Sequence, residues 1–172
     1  MPELVRLTPS HDLKPFDCGN QDLNAFLFED SKAHLQGLYA VTYIYETPEE
    51  TIAYFSVLND SIRQEDTSKN RFKKIVPFIK RGYKSHPAVK VGRFAVSHSY
   101  RRKGIGSMLM DYIKGYFLDN NKTGCRFIIV DAYHESLGFY EKNGFDYLTT
   151  TDKGKEKRLM YYDLIQFLNI EQ

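Results

Sequence analysis

Tryptophan is absent from the 172 residues, and cysteine occurs only twice. Cys18 and Cys125 stand far apart and lack the spacing of metal ligands or of a disulfide framework. We therefore expect both cysteines to be buried as small apolar side chains, and we predict no metal site. So little cysteine suits a reducing cytoplasm.

Long apolar runs are also missing. No stretch approaches the roughly 18 residues that a membrane span requires, and residues 1–13 lack the basic and apolar parts of a secretory signal. Hydrophobic residues make up 42% of the chain and charged residues 27%, a mixture that is ordinary for globular proteins. We expect one domain over residues 1–172, in the cytoplasm and without a membrane partner.

Acidic residues are missing from the middle of the chain. Residues 67–110 contain 12 Lys and Arg but no Asp or Glu, whereas residues 1–66 contain 4 basic and 12 acidic side chains. The electrostatic field of so many positive charges without a negative one attracts anionic ligands. We call residues 69–84 the basic segment, after Lys69, Arg71, Lys73, Lys74, Lys80, Arg81 and Lys84.

Apolar spacing predicts helices and strands that alternate through the second half of the chain. Residues 104–120 give the clearest helical pattern, Asn20 is expected to cap a helix that runs to about Gln36, and Pro77 would kink or end a basic helix within residues 70–81. A short helix at 135–143 is followed by Gly144. Strands are expected at 4–7, 39–46, 51–58, 89–96, 127–131, 146–149 and 158–163. This order predicts an α/β fold around a mixed sheet.

The strongest local signal is a turn that opens the clearest helix. After a strand ending at Val96, Arg101-Arg102-Lys103 leads into Gly104-Ile105-Gly106. Helix N-termini offer unpaired N–H groups and partial positive charge, and glycine lets a diphosphate approach the backbone. The following Ser107-Met108-Leu109 departs from both the Walker A loop and the dinucleotide fingerprint. We call residues 101–107 the coenzyme loop.

These residues resemble the defining motif of the Gcn5-related N-acetyltransferases (GNAT), Arg/Gln-x-x-Gly-x-Gly/Ala after an apolar strand. A second family signature, Phe139-Tyr140-Glu141-Lys142-Asn143-Gly144-Phe145, follows about 35 residues later. The resemblance implies a mostly antiparallel mixed sheet with one splayed parallel strand pair, flanked by helices. It also implies transfer of an acetyl group from acetyl-CoA to an amine, with residues 88–163 as the coenzyme-binding and catalytic core and 59–87 as a basic insertion.

The same resemblance assigns roles to individual residues. Backbone groups of Phe94, Ala95 and Val96 would pair with the pantetheine arm, and one of their N–H groups would stabilise the oxyanion. Tyr140 would be the general acid that protonates the departing thiolate; the alternative is a core aromatic. The pyrophosphate would lie on the coenzyme loop, which comprises Arg101, Arg102, Lys103, Gly104, Ile105, Gly106 and Ser107.

Two positions depart from the family pattern. Tyr133 replaces the Asn that many members use to hold the pantetheine, and residues 88–94 contain no carboxylate to act as general base. Without a base, either a water chain takes the proton or the acceptor amine is already largely neutral. An α-amine, with a pKa of about 7.7–8.0, needs less help than a lysine side chain.

An α-amine acceptor fits one branch of the family. Phe16-Asp17-Cys18-Gly19, Leu23, the Phe26-Leu27 pair, residues 92–96 and the Asp131-Ala132 pair resemble toxin-type members, which acetylate aminoacyl-tRNA and are held in check by a small antitoxin, often of ribbon-helix-helix type. The basic segment would suit tRNA phosphates. The predicted substrate contacts are Lys73, Lys74, Lys80, Arg81, Lys84 and Arg93.

Other interpretations remain open at this point. The basic segment could be a solvated surface helix or a contact in a homodimer. The acceptor could be a small-molecule amine or a protein N-terminus, and a more distant alternative is a binding module without catalysis. Turnover of simple amines would favour a small-molecule amine or a protein N-terminus as the acceptor. Failure to bind acetyl-CoA would favour the binding module.

Overall fold

The structure is a computed structural model that describes residues 1–76 and 82–168. Its helices are α1 to α6, at Gln21–Ala25, Ser31–Gln36, Lys69–Ile75, Ile105–Leu118, Leu137–Lys142 and Ile165–Leu168. Its strands are β1 to β7, at Glu3–Arg6, Val41–Glu46, Thr51–Arg63, Ser85–Val96, Phe127–Tyr133, Asp146–Tyr147 and Lys157–Asp163. Within the described residues, no helix is long and apolar enough to cross a bilayer.

The strands form one sheet in the order β1-β2-β3-β4-β5-β7-β6. Strands β4 and β5 run parallel, with Ala88 opposite Phe127 and Lys90 opposite Ile129. The pairs β1/β2, β2/β3, β5/β7 and β6/β7 are antiparallel. The mixed, mostly antiparallel sheet with one parallel pair confirms the expected fold class.

The chain divides into two compact units, each with its own apolar core. The first comprises Met1–Leu58 and Val91–Tyr112; Phe26, Leu27, Ile44 and Tyr54 are buried at its centre. The second comprises Asn59–Lys90 and Ile113–Gln172, and its buried core includes Ile62, Phe72, Ala88, Phe127 and Leu148. Cys18 and Cys125 are free and buried, as expected.

The predicted helix after Asn20 forms with an irregularity in its middle. The Asn20 side chain accepts a hydrogen bond from the Leu23 N–H, which confirms it as the N-cap. A π-helical turn at Phe26–Asp30 separates α1 from α2, because the Ser31 N–H bonds to the carbonyl of Phe26, five residues earlier.

Several boundaries differ from the sequence-based expectation. Strand β3 continues to Arg63 rather than ending at Leu58, and β4 begins at Ser85 rather than Val89, so residues 59–87 contribute to the sheet as well as containing α3. Helix α4 ends at Leu118, where a 3₁₀ turn with Asn120 at φ 52° follows. Pro77, with its expected kink, lies outside the described residues.

Candidate active site

The coenzyme loop follows β4 in the first unit, and its approach is fixed by hydrogen bonds. The Ser97 N–H donates to the carbonyl of Ile52 at 2.8 Å, and the Tyr100 hydroxyl donates to Oε1 of Glu50 at 2.7 Å. A 3₁₀ turn at His98–Tyr100 then leads to Arg101. The chain therefore enters the loop along a defined path.

Two residues of the coenzyme loop adopt left-handed backbone conformations. Arg102 has φ 61° and Gly104 has φ 80°. Left-handed residues at a turn direct successive N–H groups into a concavity that suits anions. A Cβ atom on Gly104 would meet no other atom within 4 Å, so solvent lies beyond its Cα.

The helix that follows adds unpaired donors to the coenzyme loop. The Met108 N–H bonds to the carbonyl of Gly104 at 3.0 Å, so the N–H groups of Ile105, Gly106 and Ser107 belong to the first turn, which lacks intrahelical partners. Arg101, Arg102 and Lys103 are exposed. An exposed, cationic loop at the N-terminus of a 14-residue helix suits a pyrophosphate.

The end of β4 provides the predicted pantetheine contacts. Ala95 is buried in the core of the first unit, while Phe94 and Val96 are half-buried. Two positions earlier, a Cβ atom on Gly92 would lie 2.9 Å from Cδ2 of Leu58, so glycine permits the close approach of Leu58 to β4. The roles of Phe94, Ala95 and Val96 stay predictions.

Tyr140 lies on α5 in the second unit, buried among aromatic rings. Its ring makes edge contacts with Phe139 and Phe145 at centroid distances of 5.1 and 5.4 Å. Burial raises the pKa of Tyr140, so the hydroxyl keeps its proton at neutral pH, as a general acid must. Its catalytic role stays a prediction.

The C-terminus of α5 is held by a buried lysine that sequence reasoning missed. Nζ of Lys114, a residue only 5% exposed, donates to the carbonyl of Asn143 at 2.9 Å. A cation at this end of the helix also complements its dipole. Gly144 follows with φ 83°, which confirms the expected C′ glycine. Lys142, by contrast, is exposed.

The two departures from the family pattern have local structural partners. The Tyr133 ring lies 4.3 Å from Nζ of Lys157, a cation–π contact. Strand β4 contains Lys90 rather than a carboxylate, and Lys90 contacts Asp131 at 2.5 Å and Asp60 at 3.9 Å. Asp131 is therefore an ion-pair partner of β4.

The basic segment presents two faces on α3. Phe72 is buried and stacks on His86 at a centroid distance of 4.5 Å, whereas Lys73 and Lys74 are exposed in the last turn. Lys74 also lines a cleft of about 990 Å³, together with residues that follow β6.

The other predicted substrate contacts divide into three cases. Lys84 is exposed beside β4. Arg93, in the first unit, places its guanidinium 4.9 Å from the Phe26 ring centroid and donates to the carbonyl of Gly92 at 2.8 Å. Lys80 and Arg81 lie outside the described residues.

A known acetyltransferase family resembles this chain in sequence, and known structures resemble it in fold. Residues 41–147 match the family described as "Acetyltransferase (GNAT) domain". No curated protein matches the chain in sequence. Among solved structures, AtaT complexed with acetyl-methionyl-tRNAfMet has a TM-score of 0.82 at 21% identity, with 100% of both chains covered.

Two further structures have similar scores. A tyrosine-to-phenylalanine mutant of KacT has a TM-score of 0.80 at 22% identity, covering 98% of each chain. An AtaT mutant bound to the C-terminus of the antitoxin AtaR and acetyl-CoA has a TM-score of 0.75 at 21% identity, covering 99% of each. At these identities the structures share the fold, while the family match covers more than half of the sequence. The chain therefore belongs to the acetyltransferase (GNAT) domain family.

Proposed function

We propose that this acetyltransferase moves the acetyl group of acetyl-CoA to the α-amine of an aminoacyl-tRNA and acts as the toxin of a toxin–antitoxin pair. The observation that carries the proposal is the similarity over the full chain to AtaT complexed with acetyl-methionyl-tRNAfMet. Such an acceptor would place the protein in the cytoplasm.

The coenzyme loop supports the coenzyme half of the proposal. Its exposed cations and first-turn amides match the charge and the hydrogen-bonding needs of the pyrophosphate of acetyl-CoA. The backbone of Phe94, Ala95 and Val96 would hold the pantetheine arm as an added strand, and one of its N–H groups would stabilise the oxyanion.

The chemistry needs one acid from the chain. The neutral amine attacks the thioester carbonyl and a C–N bond forms; the C–S bond then breaks as the Tyr140 hydroxyl gives its proton to the thiolate. The attacking nitrogen releases one proton to water, and Tyr140 is reprotonated from water. An α-amine with a pKa of about 7.7–8.0 is substantially neutral near pH 7.5, so the reaction does not require a strong base. The absence of a carboxylate from β4 is consistent with this acceptor.

The basic segment supports RNA as the acceptor. Lys73, Lys74 and Lys84 are exposed, and lysines of this kind contact phosphates without reading base sequence. The antitoxin belongs to the proposal by likeness to the AtaT–AtaR complex.

A second candidate acceptor is a protein N-terminus or a small α-amine. It is favoured by the same missing carboxylate, because any α-amine needs less help from a base than a lysine does. Neither of these acceptors requires the basic segment, which gives the experiment its discriminating power.

The test is a transfer assay with labelled acetyl-CoA on aminoacylated tRNA, uncharged tRNA, peptides and small amines. We expect label on the aminoacyl group only, and its release when the ester is hydrolysed. Turnover of peptides or small amines, with no label on any aminoacyl-tRNA, would replace the proposal by the second candidate.

A further inference from the structure

The turn at residues 17–19 connects the N-terminal part of the chain to the coenzyme loop. The carbonyl of Asp17 accepts a hydrogen bond from the His98 N–H at 2.9 Å. The carbonyl of Cys18 accepts one from the guanidinium of Arg101. His98 opens the 3₁₀ turn that leads to the loop, and Arg101 follows that turn as the first residue of the loop. The turn at residues 17–19 therefore contacts both ends of this 3₁₀ entry.

A single side chain holds that turn together. Oδ1 of Asn24 accepts from the Cys18 N–H at 3.0 Å and from the Cys18 thiol at 3.1 Å. Nδ2 of Asn24 donates to Oδ1 of Asp17 at 2.8 Å. The same Asp17 oxygen accepts from the Gly19 N–H at 2.7 Å, and Gly19 has φ 73°. Asn24 therefore contacts Asp17 and Cys18, the two residues that precede the left-handed Gly19.

We infer that Asn24 is a positioning residue for the coenzyme loop. It fixes the Asp17–Gly19 turn, whose carbonyls orient His98 and Arg101, and through them it sets the loop backbone for the pyrophosphate. All of these residues belong to the first unit. One oxygen and one nitrogen in a rigid amide meet the donor of Cys18 and the acceptor of Asp17, a pairing that alanine cannot provide.

Arg101 gains a second role from this arrangement. In the motif it is a cation beside the coenzyme, and in the fold its guanidinium also binds the Cys18 carbonyl. A guanidinium has several N–H donors and keeps its charge, so one contact to a carbonyl leaves it able to attract a phosphate. The turn thus orients the cation as well as the backbone.

The experiment measures acetyl-CoA binding by calorimetry, on the whole chain and without any acceptor. The inference rests on the coenzyme half of the proposed function, and this design separates its failure from an error about aminoacyl-tRNA. We expect Asn24→Ala to weaken acetyl-CoA binding roughly tenfold. Without Asn24 the coenzyme loop becomes ordered only when acetyl-CoA binds, and the free energy of ordering the loop reduces the free energy of binding. Failure of the unaltered chain to bind acetyl-CoA would instead overturn the proposed function itself.

The matched control is Asn20→Ala on the same helix. It removes one side-chain hydrogen bond, from the Leu23 N–H. The Asn20 contact with the turn is a backbone one, from the Cys18 thiol to the Asn20 carbonyl at 3.6 Å, and the substitution keeps that carbonyl. Asn20→Ala should lower the melting temperature, as loss of an N-cap does. Its acetyl-CoA affinity should stay within about twofold of the parent, in contrast to the roughly tenfold loss expected for Asn24→Ala. Equal losses of affinity in Asn20→Ala and Asn24→Ala would overturn the inference, as would unchanged affinity in Asn24→Ala.

A second pair of variants keeps the test decisive if Asn24→Ala does not fold. Asp17 is exposed, so changes there are better tolerated. Asp17→Ala removes the acceptor for Gly19 and Asn24 and should weaken acetyl-CoA binding, whereas Asp17→Asn keeps an oxygen in place and should restore most of the affinity. Equal affinity of Asp17→Ala and the parent would contradict a positioning role for the turn.

Discussion

The coenzyme loop and the basic segment share a positive charge, but they expose different groups. In the loop, left-handed Arg102 and Gly104 shape the backbone ahead of the first turn of α4. In the basic segment, α3 buries Phe72 and exposes the side chains of Lys73 and Lys74. The backbone donors of the loop suit one anion at a fixed position. The lysine side chains of α3 can contact phosphates at many positions along a nucleic-acid backbone.

This difference has a structural reason. Backbone donors are aimed by φ and ψ, so a loop that uses them must be held from outside, as the Asp17 and Cys18 carbonyls hold His98 and Arg101. Lysine ammonium groups sit on flexible stems and need only a stable helix behind them. The stacking of Phe72 on His86 anchors α3 through its buried face. We therefore expect small backbone changes to damage the loop, and only charge reversal to damage the segment.

The largest expected effect comes from breaking the loop. Gly104→Glu places a bulky, negatively charged side chain on a residue with φ 80°, beside the predicted pyrophosphate site. The substitution should abolish acetyl-CoA binding. The control is Gly124→Glu, at a glycine that also has positive φ and open space around it. Calorimetry with acetyl-CoA checks both; unchanged affinity in a folded Gly104→Glu protein would refute the assignment of the loop.

The next largest effect should appear in the chemistry, with coenzyme affinity kept intact. Tyr140→Phe keeps the buried ring and removes the proton donor, so kcat should fall roughly 10²–10⁴-fold. Tyr54→Phe is the matched control, because its buried hydroxyl donates to the Leu23 carbonyl at 2.7 Å; it should reduce stability without a comparable loss of kcat. Equal turnover by Tyr140→Phe and the parent would make Tyr140 a core aromatic.

A smaller effect is expected from reversing charge on α3. Lys73→Glu combined with Lys74→Glu should lower kcat/KM for aminoacyl-tRNA by roughly tenfold or more, with little change in acetyl-CoA affinity. The parent reaction should also fall steeply as salt rises, because each neutralised phosphate releases condensed counterions. The measurement is labelled acetyl transfer to aminoacylated tRNA at two salt concentrations.

The charge-matched control for α3 lies outside the basic segment. Lys122→Glu with Lys155→Glu changes the net charge equally at two exposed lysines. It should reduce the reaction much less than the change on α3. If both double variants lose equal activity, the overall charge matters and α3 is not a specific platform for RNA.

The same comparison explains which features the sequence could predict. The coenzyme loop was recognisable because its backbone geometry demands glycine at fixed positions and an amphipathic helix after it. The end of β3 was missed because Asn59, Asp60 and Ser61 interrupt the apolar pattern, although Asp60 pairs with Lys90 of β4. A strand end made of polar residues that form ion pairs lacks the alternation of apolar and polar residues by which a strand is recognised in sequence.

The positioning role inferred for Asn24 was beyond sequence reasoning for a different reason. Its partners are a backbone N–H, a thiol and a carboxylate within a turn, and the turn contacts Arg101 from 83 residues away. The motif residues Asp17, Cys18 and Gly19 could be matched to the toxin-type branch. Their contact with the coenzyme loop appears only in three dimensions.

The smallest expected effect is a pH dependence of stability at the buried face of α3. His86 is 5% exposed. Burial, and secondarily the charge of Arg126, lower its pKa below the usual 6.5. Above pH 6.5 the imidazole is neutral in both the folded and unfolded states, so stability is fully present there. As the pH falls below that value, the unfolded chain takes up a proton that the folded chain resists, and the free energy of unfolding decreases. The loss continues until the pH passes the lowered pKa of the folded state.

Melting temperatures at pH 7.5 and 5.5 test this linkage, with the two pH values chosen on either side of about 6.5. His86→Phe keeps an aromatic ring against Phe72 and removes the titrating group, so its melting temperature should fall less than that of the parent on acidification. An identical fall in the parent and in His86→Phe would mean that the buried face of α3 contributes nothing to the acid sensitivity.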